Sequence, residues 1–173
     1  MSEFLQACSA TIVEKLQEVF LEAQRIGTLT PTMRKGIICL MLKPGGSPDD
    51  PSSYRPLSMI NSDVKVLCRL LVSRLQMVVR GLVHEDQCRF MPARSQAHNL
   101  RHLAHILHKT TDREQDLALV SIDKEIAFNT VSLGYLMVVL WGMGPGPVFW
   151  GWVQLLYTNH MALILVGCEV SEA

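Results

Sequence analysis

With 173 residues and 49 % apolar composition, the chain is long enough for one buried core and too apolar to be a disordered tail. Its 16 Lys and Arg balance 16 Asp and Glu, which excludes a uniformly basic, nucleic-acid-coating protein, yet the charge is uneven. Residues 34–101 hold eleven Lys or Arg against five acids, a net +6, the footprint expected of a phosphate-binding surface as much as of a solvated helix face.

Five cysteines, Cys8, Cys39, Cys68, Cys88 and Cys168, are widely spaced and form no C-x-x-C pair, so they read as thiols in a reducing compartment. The first twenty residues carry acids where a signal peptide carries bases, and an intracellular location, nuclear or cytoplasmic, is expected.

From Glu3 to Arg25 apolar residues recur at helical spacing, and Gly27 ends the segment. The run from Gly36 to Leu42 has the length and punctuation of a strand that enters a Pro-Gly-Gly loop, and 44–53 is irregular. Residues 62–81 predict a helix with Val64, Leu67, Leu71 and Leu75 on one side and Lys65, Arg69 and Arg80 on the other. After a loop or short hairpin at 86–94, a second helix is predicted over 95–112, with Leu100, Leu103 and Leu107 opposite a stripe of His98, His102, His105 and His108. That stripe has metal-compatible spacing but no Glu or Cys beside it, and reads as a solvent face.

Residues 117–122 predict a buried strand that ends on Asp123, one way to hold a carboxylate rigidly beside a cleft. Helical segments at 132–142 and 147–158 are split by Gly144-Pro-Gly-Pro147, and Met161 to Val166 predicts a last strand. No Asp, Glu, Lys or Arg occurs from Ser132 to Gly167; the Gly and Pro in its middle favour a core over a membrane span. The fold class expected from these elements is α/β or α+β.

Taken in order, LMLKPGG (40–46), YRPLSMINSDVKVLCRLLVSRL (54–75), LVHEDQCRFMPARSQAHNLR (82–101), SIDKEIAFNTVS (121–132) and FWGWVQLLYTNHMALILVG (149–167) are collinear with motifs of one family. Over nearly its whole length the chain resembles the reverse transcriptases of non-LTR (LINE-type) retrotransposons. Those show I-P-K-P-G-K, Y-R-P-I-S-L-L-N, D-Q-x-G-F-x-P-G-R and D-x-x-K-A-F-D in this order.

The resemblance implies the helix-rich fingers and a partial palm of a right-hand polymerase fold, with a fingers-like region at 1–116 and partial palm at 117–173. It implies that Asp123 is the first catalytic aspartate and a ligand to Mg²⁺, with the backbone carbonyl of Lys124 completing one metal's oxygen shell. The amides of Ile126 and Ala127 would face the triphosphate, and Phe128 would close the floor under the sugar. Lys43 and Arg55 match the fingers cations that meet the β- and γ-phosphates, chemistry suited to a point charge and a planar fork of donors. Lys65, Arg69, Arg74, Arg94 and Arg101 would line the nucleic acid by phosphate contact. The implied partners are an RNA template, an RNA–DNA duplex and, weakly, a deoxynucleoside triphosphate, with self-association through exposed palm surface and no membrane.

Departures from the family pattern are Ile126 and Asn129 for a Lys and an Asp, and Arg89 and Ala93 for two glycines. The aromatic-x-Asp-Asp turn of a second palm strand does not occur, so the expectation is a truncated, catalytically incomplete RNA-directed DNA polymerase module. The rival expectation is a non-enzymatic interaction protein that uses apolar helices within 132–158 to bind a partner or membrane.

Overall fold

The computed structural model describes residues 9–113, 116–123, 128, 130–166 and 169–171. Helix α1, Ser9–Ile26, buries Phe20 and Ala23, three residues apart on one side. The N–H of Gly27, at φ 81°, donates to the Ala23 carbonyl at 2.9 Å, the left-handed ending that glycine adopts without steric cost. Leu29 and Met33 are then buried in the connection that leads to strand β1, Lys35–Leu42.

Strand β1 has partners on both sides. It pairs antiparallel with β2, Tyr54–Ile60, from Gly36↔Ile60 to Leu42↔Tyr54, and parallel with β3, Met161–Val166, from Lys35↔Met161 to Cys39↔Leu165. A short β4, Glu169–Val170, adds to β3, so the sheet order is β2-β1-β3-β4. The strands at 54–60 and 169–170 are elements that apolar patterning missed, the first because Pro56 interrupts it. Pro56 faces Leu40 in the ladder, and β2 lies at the sheet edge, where a residue without an N–H is tolerated.

Helix α2, Ser62–Val78, continues as a 3₁₀ turn at Val79–Gly81 and buries Val64, Leu67 and Leu71 at the predicted spacing. Helix α3, Gln96–Asp112, starts where Ser95 accepts the Ala97 N–H at 3.3 Å. Its leucines do not form a buried face: no residue of α3 is buried, and Leu100 and Leu107 are exposed. Helices α4, Leu133–Gly142, and α5, Pro147–Tyr157, are separated by Gly144 and Gly146, both at positive φ, and Pro147 opens α5 where its missing N–H leaves no helical bond unmade.

One predicted strand is corrected. Residues 117–123 form no strand, and Leu117, Leu119, Val120 and Ile122 are exposed, Ile122 at 88 %. An apolar run becomes a strand only when a neighbour completes its ladder, and no described segment pairs with this one.

By internal contacts the chain forms two compact units, Met1–Leu70 with Pro145–Ala173, and Leu71–Gly144. These limits cut the chain elsewhere than the motif-based division at 116/117. Among the described residues no helix is long and apolar enough to cross a membrane. Leu29, at 1 % exposure the most deeply buried side chain described, anchors the first unit. Leu29→Ala is expected to lower stability by about 3 kcal/mol, read as an earlier midpoint in chemical denaturation.

Candidate nucleotide and nucleic-acid site

The first group of candidate residues sits at the tip of the β1–β2 hairpin. Arg55 is in register with Met41, and pleat alternation puts Lys43, the residue after β1, on the same face as both. The two cations expected to meet a triphosphate therefore come from one end of one hairpin, and both are exposed. The intervening loop is closed by the Lys43 N–H on the Ser53 carbonyl at 2.8 Å, while Lys43 Nζ donates to the Ser52 carbonyl at 2.8 Å.

Asp50 caps the 3₁₀ turn at Pro51–Ser53, accepting from the Ser52 N–H at 2.9 Å and from Ser52 Oγ at 2.6 Å. The hydrogen bonds from Ser52, with a weaker contribution from the nearby Lys43 charge, hold the Asp50 carboxyl below the usual carboxylate range.

In the second unit Asp123 is exposed and follows the non-strand segment described above. Phe128, expected as the sugar floor, meets Phe90 edge to face, with ring centroids 6.3 Å apart and planes at 72°. Arg89 Cζ lies 5.5 Å from the centre of the Phe90 ring. Both rings are open to solvent, Phe90 at 76 % and Phe128 at 81 %. Nothing in the spacing of the motifs pointed to Phe90; only its place in the D-Q-x-G-F-like stretch marked it. Lys124, Ile126 and Ala127 lie outside the described residues.

The loop that carries Phe90 is conformationally demanding. Phe90 and Ala93 have φ of 61° and 57°, in the left-handed region that a Cβ disfavours. Ala93 stands where the resembling sequences have glycine, so the lost glycine is one whose backbone freedom this turn uses. Side chains hold the loop: Asn99 Nδ2 donates to the Asp86 carbonyl at 2.6 Å, Asn99 Oδ1 accepts from the buried Cys88 thiol at 3.1 Å, and Arg80 Nη2 donates to the Pro92 carbonyl at 2.8 Å.

The basic residues are not equivalent. Lys65 and Arg69, four apart on α2 in the first unit, are exposed and share a side of the helix. Arg74 and Arg101, in the second unit, are exposed, and Arg101 Nε donates to the Ala97 carbonyl at 3.2 Å. Arg94 is only part-exposed, with its guanidinium among backbone carbonyls of the loop. Of the histidine stripe, His108 Nδ1 lies 2.8 Å from the Asp112 carboxylate. Among the described residues no three His, Cys, Asp or Glu side chains are grouped to hold a metal ion.

Residues 41–170 match the family described as Reverse transcriptase (RNA-dependent DNA polymerase). This chain belongs to the reverse transcriptase family. Its likeness to curated proteins is to transposon-encoded members, as the non-LTR resemblance implied. It is 28 % identical over 169 residues to the "Transposon TX1 uncharacterized 149 kDa protein" of Xenopus laevis, covering 98 % of this chain and 13 % of that protein. It is also 28 % identical over 148 residues to the "Probable RNA-directed DNA polymerase from transposon BS" of Drosophila melanogaster, covering 84 % of this chain and 16 % of that one. The chain therefore spans less than a fifth of the length of either relative.

Reverse transcriptases use divalent metal. The donors described here do not by themselves fit a metal pair, because Asp123 has no cluster of further ligands among the described residues and a two-metal clamp needs more than one carboxylate. What the family member does display is a cationic hairpin tip and, separately, an exposed aromatic pair below a guanidinium.

Two outcomes follow from this geometry. Ala93→Gly is expected to raise stability by about 1 kcal/mol, seen as a higher thermal midpoint, because glycine adopts the observed φ freely. Because the Asp50 pKa is depressed in the folded chain, the loop stabilisation it contributes is complete above the unfolded carboxylate value and is lost as pH falls through the folded one. The Ser52 amide proton shift should titrate in that acid window, and Asp50→Asn should abolish the titration.

Proposed function

We propose that the chain is the nucleotide- and nucleic-acid-binding part of a retroelement RNA-directed DNA polymerase. In this reading Lys43 and Arg55 meet the β- and γ-phosphates of the incoming nucleotide. The family resemblance adds the amides of Ile126 and Ala127, which lie outside the described residues, as triphosphate ligands, and Phe128 as the residue under the sugar. By the same resemblance Asp123 supplies one carboxylate for Mg²⁺, and Lys124, outside the described residues, its backbone carbonyl. Lys65, Arg69, Arg74 and Arg101 contact the phosphates of an RNA template or RNA–DNA duplex, which gives affinity without sequence reading.

The observation that carries the reading is the shared end and face of Lys43 and Arg55 on the β1–β2 hairpin, within a segment matched by the family. Both cations are exposed and so open to an anionic ligand. The uneven charge gives independent support, since the net +6 of residues 34–101 includes every cation named in this proposal except Lys124.

The test is filter binding of an RNA–DNA duplex over a range of salt, with nucleotide binding measured separately. Duplex affinity should fall linearly with log salt, and Arg69→Ala or Arg101→Ala should each reduce the slope by about one and weaken all sequences alike. Lys43→Ala and Arg55→Ala should each weaken triphosphate binding roughly tenfold, the loss expected for a charge-assisted contact. Affinity that does not change with salt would reduce the basic segment to a solvated surface.

A second reading, self-association, is favoured by the apolar surface of α4, where Tyr135, Val138 and Trp141 are exposed. It predicts concentration-dependent sedimentation that Val138→Lys reduces.

A further inference from the structure

We infer that Arg94 is a positioning residue: it braces the 80–94 loop from inside and so holds Phe90 against Phe128, and it is not one of the template-phosphate cations. Its place in the motif and its charge suggest a phosphate ligand, but the hydrogen bonds do not leave it free for that work. Nη1 donates to the carbonyls of His84 at 2.6 Å and Gln87 at 3.0 Å. Nη2 donates to those of Arg80 at 3.3 Å and Val83 at 3.2 Å.

A guanidinium has five N–H donors, four of them on the two Nη atoms. All four are engaged by the loop, so only Nε–H remains for an outside ligand. A phosphate fork needs two neighbouring N–H groups, and neither pairing, Nη with Nη or Nη with Nε, is available without breaking the loop.

The His84 carbonyl also accepts the Gln87 N–H at 3.1 Å, and Arg94 brings a donor to the carbonyls of Arg80, Val83 and Gln87 as well. Arg80 and Val83 lie where α2 and its 3₁₀ turn end, a place where carbonyls have no helical partner. A cation at a helix C-terminus is favoured further by the helix dipole. His84 and Gln87 belong to the following turn, so one side chain joins the helix end to the loop.

The brace matters for Phe90. The loop holds two non-glycine residues at positive φ, Phe90 and Ala93, a conformation that persists only if the surroundings over-determine it. Arg94 follows directly on Ala93, and its bonds to residues 80–87 close the loop around Phe90. With the loop closed, the Phe90 ring lies against Phe128, the residue proposed to lie under the nucleotide sugar. The inference about the loop stands on geometry alone; only its consequence for the nucleotide rests on the proposed function.

The experiment compares Arg94→Lys with Arg94→Ala. Lysine keeps the charge but has three donors at one nitrogen and cannot span four carbonyls. Both variants should lower the melting temperature by roughly 5–10 °C, with lysine recovering less than half of the loss. By NMR, the ring–ring contact of Phe90 and Phe128 should vanish in Arg94→Lys while the methyl resonances of Leu29 and Leu67 in the other unit stay in place. The salt slope of duplex binding should be unchanged in both variants.

Arg94→Lys that melts like the unsubstituted protein and keeps the ring contact would overturn the brace. So would a slope lowered by about one in Arg94→Ala and restored by lysine, the signature of a phosphate ligand. If Arg94→Lys does not fold, the Ala93→Gly background relieves strain in the same loop and the ring contact is read there. A protein that binds no duplex at all would sink the proposed function, while the melt and NMR results would still decide the brace.

Discussion

Strand β1 makes two ladders at once, and the first unit depends on it. A two-stranded hairpin is marginal in water, so the β1–β2 pair alone would not hold Lys43 and Arg55 at a defined tip. The parallel ladder to β3 brings residues 161–166 beside residues 35–39 and makes the sheet wide enough to persist. Met161 N–H bonded to the Arg34 carbonyl at 3.0 Å and Arg34 Nη1 bonded to the Asn159 carbonyl at 3.4 Å extend that junction past the strand ends. The parallel ladder ends at Cys39↔Leu165, so the hairpin tip beyond it rests on the β1–β2 pairing and on the loop bonds of Lys43 and Asp50.

The second unit is organised on different terms. It has few buried apolar side chains, Leu71, Cys88 and Leu140 among those described, and relies on polar anchoring of a loop. Asn99, Arg80 and Arg94 together take up the carbonyls of Arg80, Val83, His84, Asp86, Gln87 and Pro92. Each such bond contributes little net stability against water, and it is their number on one short loop that holds it. The arginines of one basic stretch are therefore not equivalent: Arg69 is exposed, whereas Arg94 has four carbonyl partners.

Family membership and local drift meet at Ala93. The match to reverse transcriptases is collinear, yet the glycine of the family motif is replaced at a position the backbone still holds at φ 57°. The turn is retained with strain, supported by the Arg94 side chain next to it.

By itself the sequence determined most helices and two of the strands, because helical spacing, caps and breakers are local. Val64, Leu67 and Leu71 are buried as their spacing required, Ser95 and Ser132 cap α3 and α4, and the glycines between α4 and α5 take positive φ. It also identified the family through motif order, and with it the candidate residues Lys43, Arg55, Asp123 and Phe128. What it did not determine depends on partners distant in the chain. Residues 117–122 have a strand's composition and no ladder, while 54–60 contain a proline and have one, since pairing and not propensity makes a strand. Leu100 and Leu107 keep helical spacing but stay exposed because nothing described covers that side of α3. The Phe90–Phe128 contact and the four carbonyls around Arg94 were decided by tertiary structure alone, because a donor's charge and motif position do not say which acceptors the folded chain will bring to it.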